Sequence, residues 1–199
     1  MASGLLFFVQ SAPGFQTPIY VYQKKGLGFS EQFIALIALV QAVGGALGGM
    51  FYGCFCRRWS LRTLLYPAIG LRAASSLLYL GYEGKKSALA LEGACYFLYY
   101  LAQLPLSDLA ARATPKGPEA LGYSIIISAW NWGLFPSDIV GSALFDRAAP
   151  ATGWALAFKH LVWINAVTTA IVLIAVPFLP RKLVDVREGE SSEPAPQPA

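Results

Sequence analysis

The chain has 199 residues, 56% of them hydrophobic and only 13% charged, with a mean hydropathy of +0.51. That balance excludes a disordered chain, and three cysteines in this length exclude a disulfide scaffold. A soluble domain of this size cannot hide so much apolar surface in one core, so the solvent is a bilayer, and a net charge of +4 scattered between apolar runs points to membrane topology rather than nucleic acid.

About 20 apolar residues cross a bilayer as a helix, and six runs reach that length: residues 2–22, 32–56, 64–82, 88–106, 122–144 and 158–179. Together they predict an all-α integral membrane bundle over residues 1–182. The first run holds Gln10, Gln16 and Thr17 around Pro13, Gly14 and Pro18. Carbonyls freed by those prolines can face a cavity. Met1 opens this run with no basic leader and no cleavage site, so the run reads as a retained helix and the chain as part of something longer. The second run carries Gln41 and two overlapping glycine series, Gly44 with Gly48 and Gly45 with Gly49 and Gly53. Small residues four apart let helix backbones approach closely.

Arg72 lies in the middle of the third run. It pairs with a carboxylate on a neighbouring helix, binds an anionic solute, or extends its stem to an interface. In the fourth run Glu92, Tyr96, Tyr99 and Gln103 fall on one helical stripe. In the fifth, Asn131 and Asp138 lie within about 20° of each other round the helix, and Gly133, Ser137 and Gly141 repeat the four-residue small spacing. The sixth carries Asn165. Polar groups in hydrocarbon face a protein interior or a water-filled path. For each of them a purely structural interhelical hydrogen bond is the alternative. Glu92 and Asp138 are the stronger candidates for a solute or proton path, because a carboxylate is a costly way to obtain a hydrogen bond. Gln103, Gln10, Gln41 and Asn131 are candidate polar lining, and Tyr99, Trp130 and Trp132 candidates to stack on a flat ring. Trp130 and Trp132 lie about 200° apart, so both cannot face a cavity squarely.

The connections are short, and the tail, residues 183–199, is polar, proline-rich and expected to be disordered. Loop charge sets orientation. Arg57, Arg58, Arg62, Arg112, Lys116, Arg181, Lys182 and Arg187 fall on one side, against Lys24, Lys25, Lys85, Lys86 and Arg147, with Lys159 marginal, on the other. This predicts a multi-pass protein of the plasma (inner) membrane with both termini in the cytoplasm. Cys54, Cys56 and Cys95 lack metal-site company and read as core thiols, and His160 as interfacial. With no nucleophile elbow, phosphate loop, HExxH or GxGxxG, the sequence makes no case for an enzyme, a metal or a cofactor.

Two stretches, LPLSDLAARATPKGPEALGY (residues 104–123) and SIIISAWNWGLFPSDIVGS (residues 124–142), resemble the second half of a major facilitator transporter, in its folate–biopterin branch. The opening, with Pro13, Gly14, Phe15, Gln16, Thr17 and Pro18 and then the run from Leu27 to Ile34, agrees. The matching positions are Glu92, Asp108, Arg112, Pro115, Gly117, Glu119, Asn131, Asp138 and Gly141. The resemblance implies six helices forming one half of a twelve-helix fold, a pterin- or folate-like small organic solute, alternating access, and a second six-helix half as partner, supplied upstream in the same chain, by a separate chain, or by a second copy in a homodimer. It casts Arg57, Arg58 and Arg62 as the basic loop between the second and third helices. Asp108 with Arg112, an i, i+4 pair, and Glu119 join them as candidate cytoplasmic gate residues. The fuller Gly/Asp pattern of that loop is missing here. The alternative is a non-transporting subunit or truncated fragment whose exposed inter-half face binds a partner half.

Overall fold

The computed structural model describes residues 2–55, 61–114 and 117–174, and among them every regular element is helical. Helix α1 (Ala2–Gln10) ends at a break over residues 11–15, after which α2 (Gln16–Val21) runs directly into a π-helical turn, Tyr22–Gly26. The long helices are α3 (Glu31–Phe55), α4 (Leu61–Leu77, extended by a 3-10 turn over Leu78–Gly81), α5 (Lys85–Arg112), α6 (Glu119–Thr152) and α7 (Trp154–Ile171). The first expected run is therefore not one continuous helix. Pro13 lacks an N–H, Pro18 cannot donate back to the carbonyl of Gly14, and the ladder is interrupted between them. Gly153 alone joins α6 to α7, with φ +83°, a conformation that side chains rarely adopt.

Among the described residues, three helices are long and apolar enough to cross a membrane by length and composition: residues 31–54, 64–81 and 154–174. Helices α5 and α6 are longer, 28 and 34 residues. Their apolar content is diluted by Glu92, Tyr96, Tyr99, Tyr100 and Gln103 in the one, and by Asn131, Pro136, Ser137 and Asp138 in the other. Three apolar spans, not six, thus meet that criterion.

Two helix pairs pack closely in parallel. On α3, Gly44 lies against the backbone of Gly93 and Gly48 against that of Phe97, both on α5. On α6, Gly133 lies against the carbonyl of Phe7 in α1, and Gly141 against Gly14 in the break. The partner numbers rise together in each pair, so the helices run the same way. Absence of a side chain is what permits backbone-to-backbone contact here. Gly45 faces the ring of Tyr100, while a Cβ at Gly49 or Gly53 would meet nothing within 4 Å among the described residues.

Apolar packing forms two clusters. One, around Leu6, Leu65, Ile69, Leu106 and Trp130, joins α1, α4, α5 and α6. The other is aromatic, around Tyr22, Tyr79, Tyr82, Phe145 and Phe158, near the end of the bundle that carries Lys24 and Lys25. Leu39, Val43 and Leu47 of α3 and Trp163, Val167 and Ile171 of α7 point outward, as helices solvated by lipid require. Cys95 is buried, but Cys54 is exposed and is not a core thiol, and Cys56 lies outside the described residues. His160 is exposed.

Candidate functional site

The two carboxylates singled out from the sequence occupy different surroundings. Glu92 is 1% exposed, in the second turn of α5. Its Oε2 accepts from Gln41 Nε2 of α3 at 2.9 Å and from the Tyr79 hydroxyl of the 3-10 turn at 2.9 Å. Its Oε1 accepts from Gln23 Nε2 of the π-helical turn at 3.5 Å. The same Gln23 amide donates to the Tyr82 hydroxyl at 2.6 Å, and the Tyr22 hydroxyl to the Tyr82 carbonyl at 3.2 Å. Among the described residues no cation pairs with Glu92. Amides and hydroxyls can each present a donor or an acceptor, so this cage accommodates the carboxyl with or without its proton.

Asp138 is half-buried on α6 and meets the start of α2. The Thr17 backbone N–H donates to Oδ1 at 3.2 Å and the Thr17 hydroxyl to Oδ2 at 2.7 Å. Helix α2 receives no capping hydrogen bond from the side chain of its own N-cap residue, Phe15. The Asp138 carboxylate fills that office from another helix, and a negative charge there complements the helix N-terminus. The neighbouring groups satisfy the rest of the break. Ser137 Oγ donates to the Ala12 carbonyl at 2.5 Å, Gly14 N–H donates to the Ser137 carbonyl at 2.9 Å, and Asn165 Nδ2 donates to the Pro13 carbonyl at 2.9 Å. A discontinuity inside a bilayer is tolerated only where its backbone groups find such partners.

Arg72 finds no carboxylate among the described residues. Its Nη1 donates to Gln103 Oε1 at 3.1 Å, and its guanidinium lies 5.3 Å from the centre of the Tyr99 ring. Gln10 is buried with its Oε1 unpaired among the described residues. Trp130 is 5% exposed and packs in the core, whereas Trp132 is 74% exposed. Trp132 lines an open groove of about 510 Å³ with Ser128, Asn131 and Phe135, all on α6. The indole available to a ligand is therefore Trp132, and Trp130 is not. The structure brings Asn131 and Asp138 to one helix but does not bring Glu92 to them.

At the far end of the bundle Arg112 Nη2 and Asp108 Oδ2 are 3.0 Å apart within α5, and Glu119 is exposed in the first turn of α6. Arg57 and Arg58 lie outside the described residues. Arg62 lies in the first turn of α4. At the opposite end Lys24 pairs with Glu31, Lys159 with Glu83 at 3.1 Å, and Lys25 lies 5.5 Å from the centre of the Trp154 ring.

The residues that sequence reasoning passed over are Gln23, Tyr79 and Tyr82 around Glu92, and Ser137 as a backbone partner. Gln23 and the two tyrosines sit at or beyond the ends of apolar runs, where polar residues attract no notice. In the sequence Ser137 reads only as a small residue at four-residue spacing.

An all-helical bundle with lipid-facing apolar surfaces and a polar, hydrogen-bonded interior defines a membrane protein. The chain belongs to the BT1 family, whose model matches residues 4–196. It is similar to the folate-biopterin transporter of Synechocystis sp. (strain ATCC 27184 / PCC 6803 / Kazusa), at 25% identity over 188 residues. That alignment takes in 87% of this chain and 37% of the relative, so the chain spans little more than a third of the relative's length.

Proposed function

We propose that this chain forms one six-helix half, the C-terminal one, of a major facilitator-type secondary transporter that moves a small flat organic solute of the pterin or folate kind by alternating access. The observation that carries the reading is the stripe on α6. Ser128, Asn131, Trp132 and Phe135 lie on a single helical face and leave an open groove. A pterin ring has a π-face and a hydrogen-bonding edge. Trp132 offers the stacking surface, and Asn131 supplies both a donor and an acceptor. A second half supplies the opposite wall, since sites in this fold lie between repeats near the midplane. Family membership and the relative's name support the same class of solute.

The two carboxyls take different parts in this reading. Asp138, half-exposed and about two turns from Asn131, meets the water of the solute path. Glu92, enclosed by amides and hydroxyls without a cation, binds the coupled proton. The Arg57–Arg62 end faces the cytoplasm, with the Asp108–Arg112 pair at its gate. The second reading, a subunit that binds a partner half without transporting, draws on the same exposed α6 face.

The test is uptake and equilibrium binding of labelled biopterin by liposomes that hold the purified chain, alone and with the remaining half of a relative. Uptake that needs the second half, with saturable binding weakened by Trp132→Ala, is the expected result. Binding without uptake under both conditions favours the non-transporting subunit. Neither binding nor uptake overturns the assignment of solute.

A further inference from the structure

Of the three parts open to Arg72 from its place in the sequence, the structure removes two. It does not extend to an interface. Arg72 lies in the middle of the apolar stretch 64–81, about 13 Å from either end at 1.5 Å per residue. Its guanidinium turns sideways onto α5, where Gln103 Oε1 accepts from Nη1 at 3.1 Å and the Tyr99 ring centre is 5.3 Å away. Nor does it pair with a carboxylate among the described residues. On α5, Asp108 is engaged by Arg112, and Glu92 is eleven residues from Gln103, about 16 Å along the helix. An amide oxygen and a ring face stabilise a guanidinium without neutralising it, and a lone charge at this depth is costly. We propose that Arg72 receives the carboxylate of the transported solute, so that this half prefers a carboxylate-bearing, folate-type pterin to a neutral one. This assignment rests on the transport reading above and narrows its solute.

The guanidinium lies at the level of the α6 groove. In the contacts Tyr79–Glu92, Ser75–Cys95 and Arg72–Gln103 the numbers on α4 fall as those on α5 rise, and Glu92 meets Gln23 near Lys24. Helix α4 therefore runs toward the Lys24–Lys25 end, and α5 runs away from it. Helices α1 and α6 also run toward that end, where Phe145 and Ala149 join Tyr22. One apolar cluster contains Val9, Ile69, Leu106 and Trp130. Gln10, Arg72, Gln103 and Asn131 lie within a turn of these residues, each on the Lys24–Lys25 side, so four helices bring a polar residue to one layer. Asn131 is in the groove lining. Gln10 is 3% exposed, and its Oε1 accepts nothing from the described residues. The layer thus holds an unused acceptor, suited to an N–H edge, and an uncompensated cation, suited to a carboxylate. A guanidinium has five N–H donors in a planar fork that matches two carboxylate oxygens, and Gln103 takes one of them. The approach is positive as well. Lys25, Lys85 and Lys86 pair with no carboxylate among the described residues; Lys25 and Lys85 lie over the rings of Trp154 and Phe33.

Equilibrium binding of labelled folate and labelled biopterin tests the assignment, on liposomes that hold the full chain with the remaining half of a relative. The reading is the ratio of the two affinities. Wild type should favour folate, and Arg72→Gln should lower the folate-to-biopterin ratio by roughly tenfold or more. Arg72→Lys keeps the charge without the fork and should fall between them. Gln103→Glu gives Arg72 a carboxylate of its own. The ratio should then fall as far, with no lower melting point, which separates loss of the site from loss of the fold. A ratio unchanged in Arg72→Gln or in Gln103→Glu makes Arg72 a structural cation and overturns the assignment. A wild type that binds biopterin but not folate overturns it too, and leaves the broader pterin reading standing. Binding of neither compound by the wild type overturns that broader reading, and the role of Arg72 falls with it.

Discussion

The glycines of α3 allow packing to be separated from helix propensity. Gly48 and Gly49 are adjacent in one helix, so replacing either with alanine brings the same propensity gain of about 1 kcal/mol, and that gain cancels in the comparison. What differs is the neighbour. A Cβ at Gly48 would lie 2.5 Å from the Phe97 carbonyl oxygen and 3.2 Å from its carbon, both backbone atoms that cannot turn aside. A Cβ at Gly49 meets nothing within 4 Å among the described residues. Restoring ordinary contact at position 48 moves α3 from α5 by roughly 0.9 Å, and a gap of about 0.5–1 Å forfeits a quarter to a half of each dispersion contact along that seam. Overpacking of this kind costs about 1–3 kcal/mol. At about 2–4 °C per kcal/mol for a chain of this size, Gly48→Ala should melt several degrees below Gly49→Ala in detergent, followed by size-exclusion after heating. Gly44→Ala should behave like Gly48→Ala. If the two alanine variants melt together, or Gly49→Ala is the weaker, the backbone contact between α3 and α5 is wrong.

Asn165→Leu leaves the Pro13 carbonyl without its donor, a loss of about 1–3 kcal/mol, and the same melting assay should register it; an unchanged midpoint removes Asn165 from the support of the break. Trp132→Ala changes an indole that is 74% exposed, so stability should stay within about 0.5 kcal/mol. Biopterin binding, measured by equilibrium dialysis, should fall about tenfold with the loss of one stacking surface; a matched fall in stability would place Trp132 in the fold instead. Asp108→Ala severs an i, i+4 pair whose side chains are 20% and 28% exposed. Because the pair is largely shielded and Arg112 donates to Asp108 through both Nε and Nη2, the substitution should lower stability by about 1–3 kcal/mol, and an unchanged melting point would show that the fold does not depend on the pair.

Helical phase is a local property, and it is what the sequence makes legible. A period of 3.6 residues suffices to put Glu92 and Gln103 on one stripe, and Asn131 and Asp138 on another. Partner choice is not local. Glu92 meets Gln23 and Gln41, 69 and 51 residues away, and Asp138 meets Thr17 across 121. No periodicity encodes those meetings. The prolines and Gly14 marked a weak point in the first run, but not that Ser137, Asp138 and Asn165 would mend it. Glycine spacing had the same limit. Gly44, Gly45, Gly48, Gly49 and Gly53 form equivalent patterns in the chain, yet only Gly44 and Gly48 meet backbone, because the seam with α5 covers one side of α3 and leaves Gly49 and Gly53 open. Trp130 and Trp132 could be separated by phase but not assigned, since phase does not say which side is core.

The mended break also has a consequence for the order in which the protein is made. Residues 11–15 are synthesised before the groups that satisfy them, Ser137, Asp138 and Asn165, which follow more than 120 residues later. At about 5–20 residues per second, that interval is on the order of ten seconds. Until it ends, the carbonyls of Ala12 and Pro13 and the N–H groups at the start of α2 have no protein partner and need water. Helix α1, with nine residues, is about 13 Å long and cannot reach across the hydrocarbon unaided. Closure of the break between α1 and α2 therefore waits until α6 and α7 arrive, and biogenesis must keep it hydrated until then.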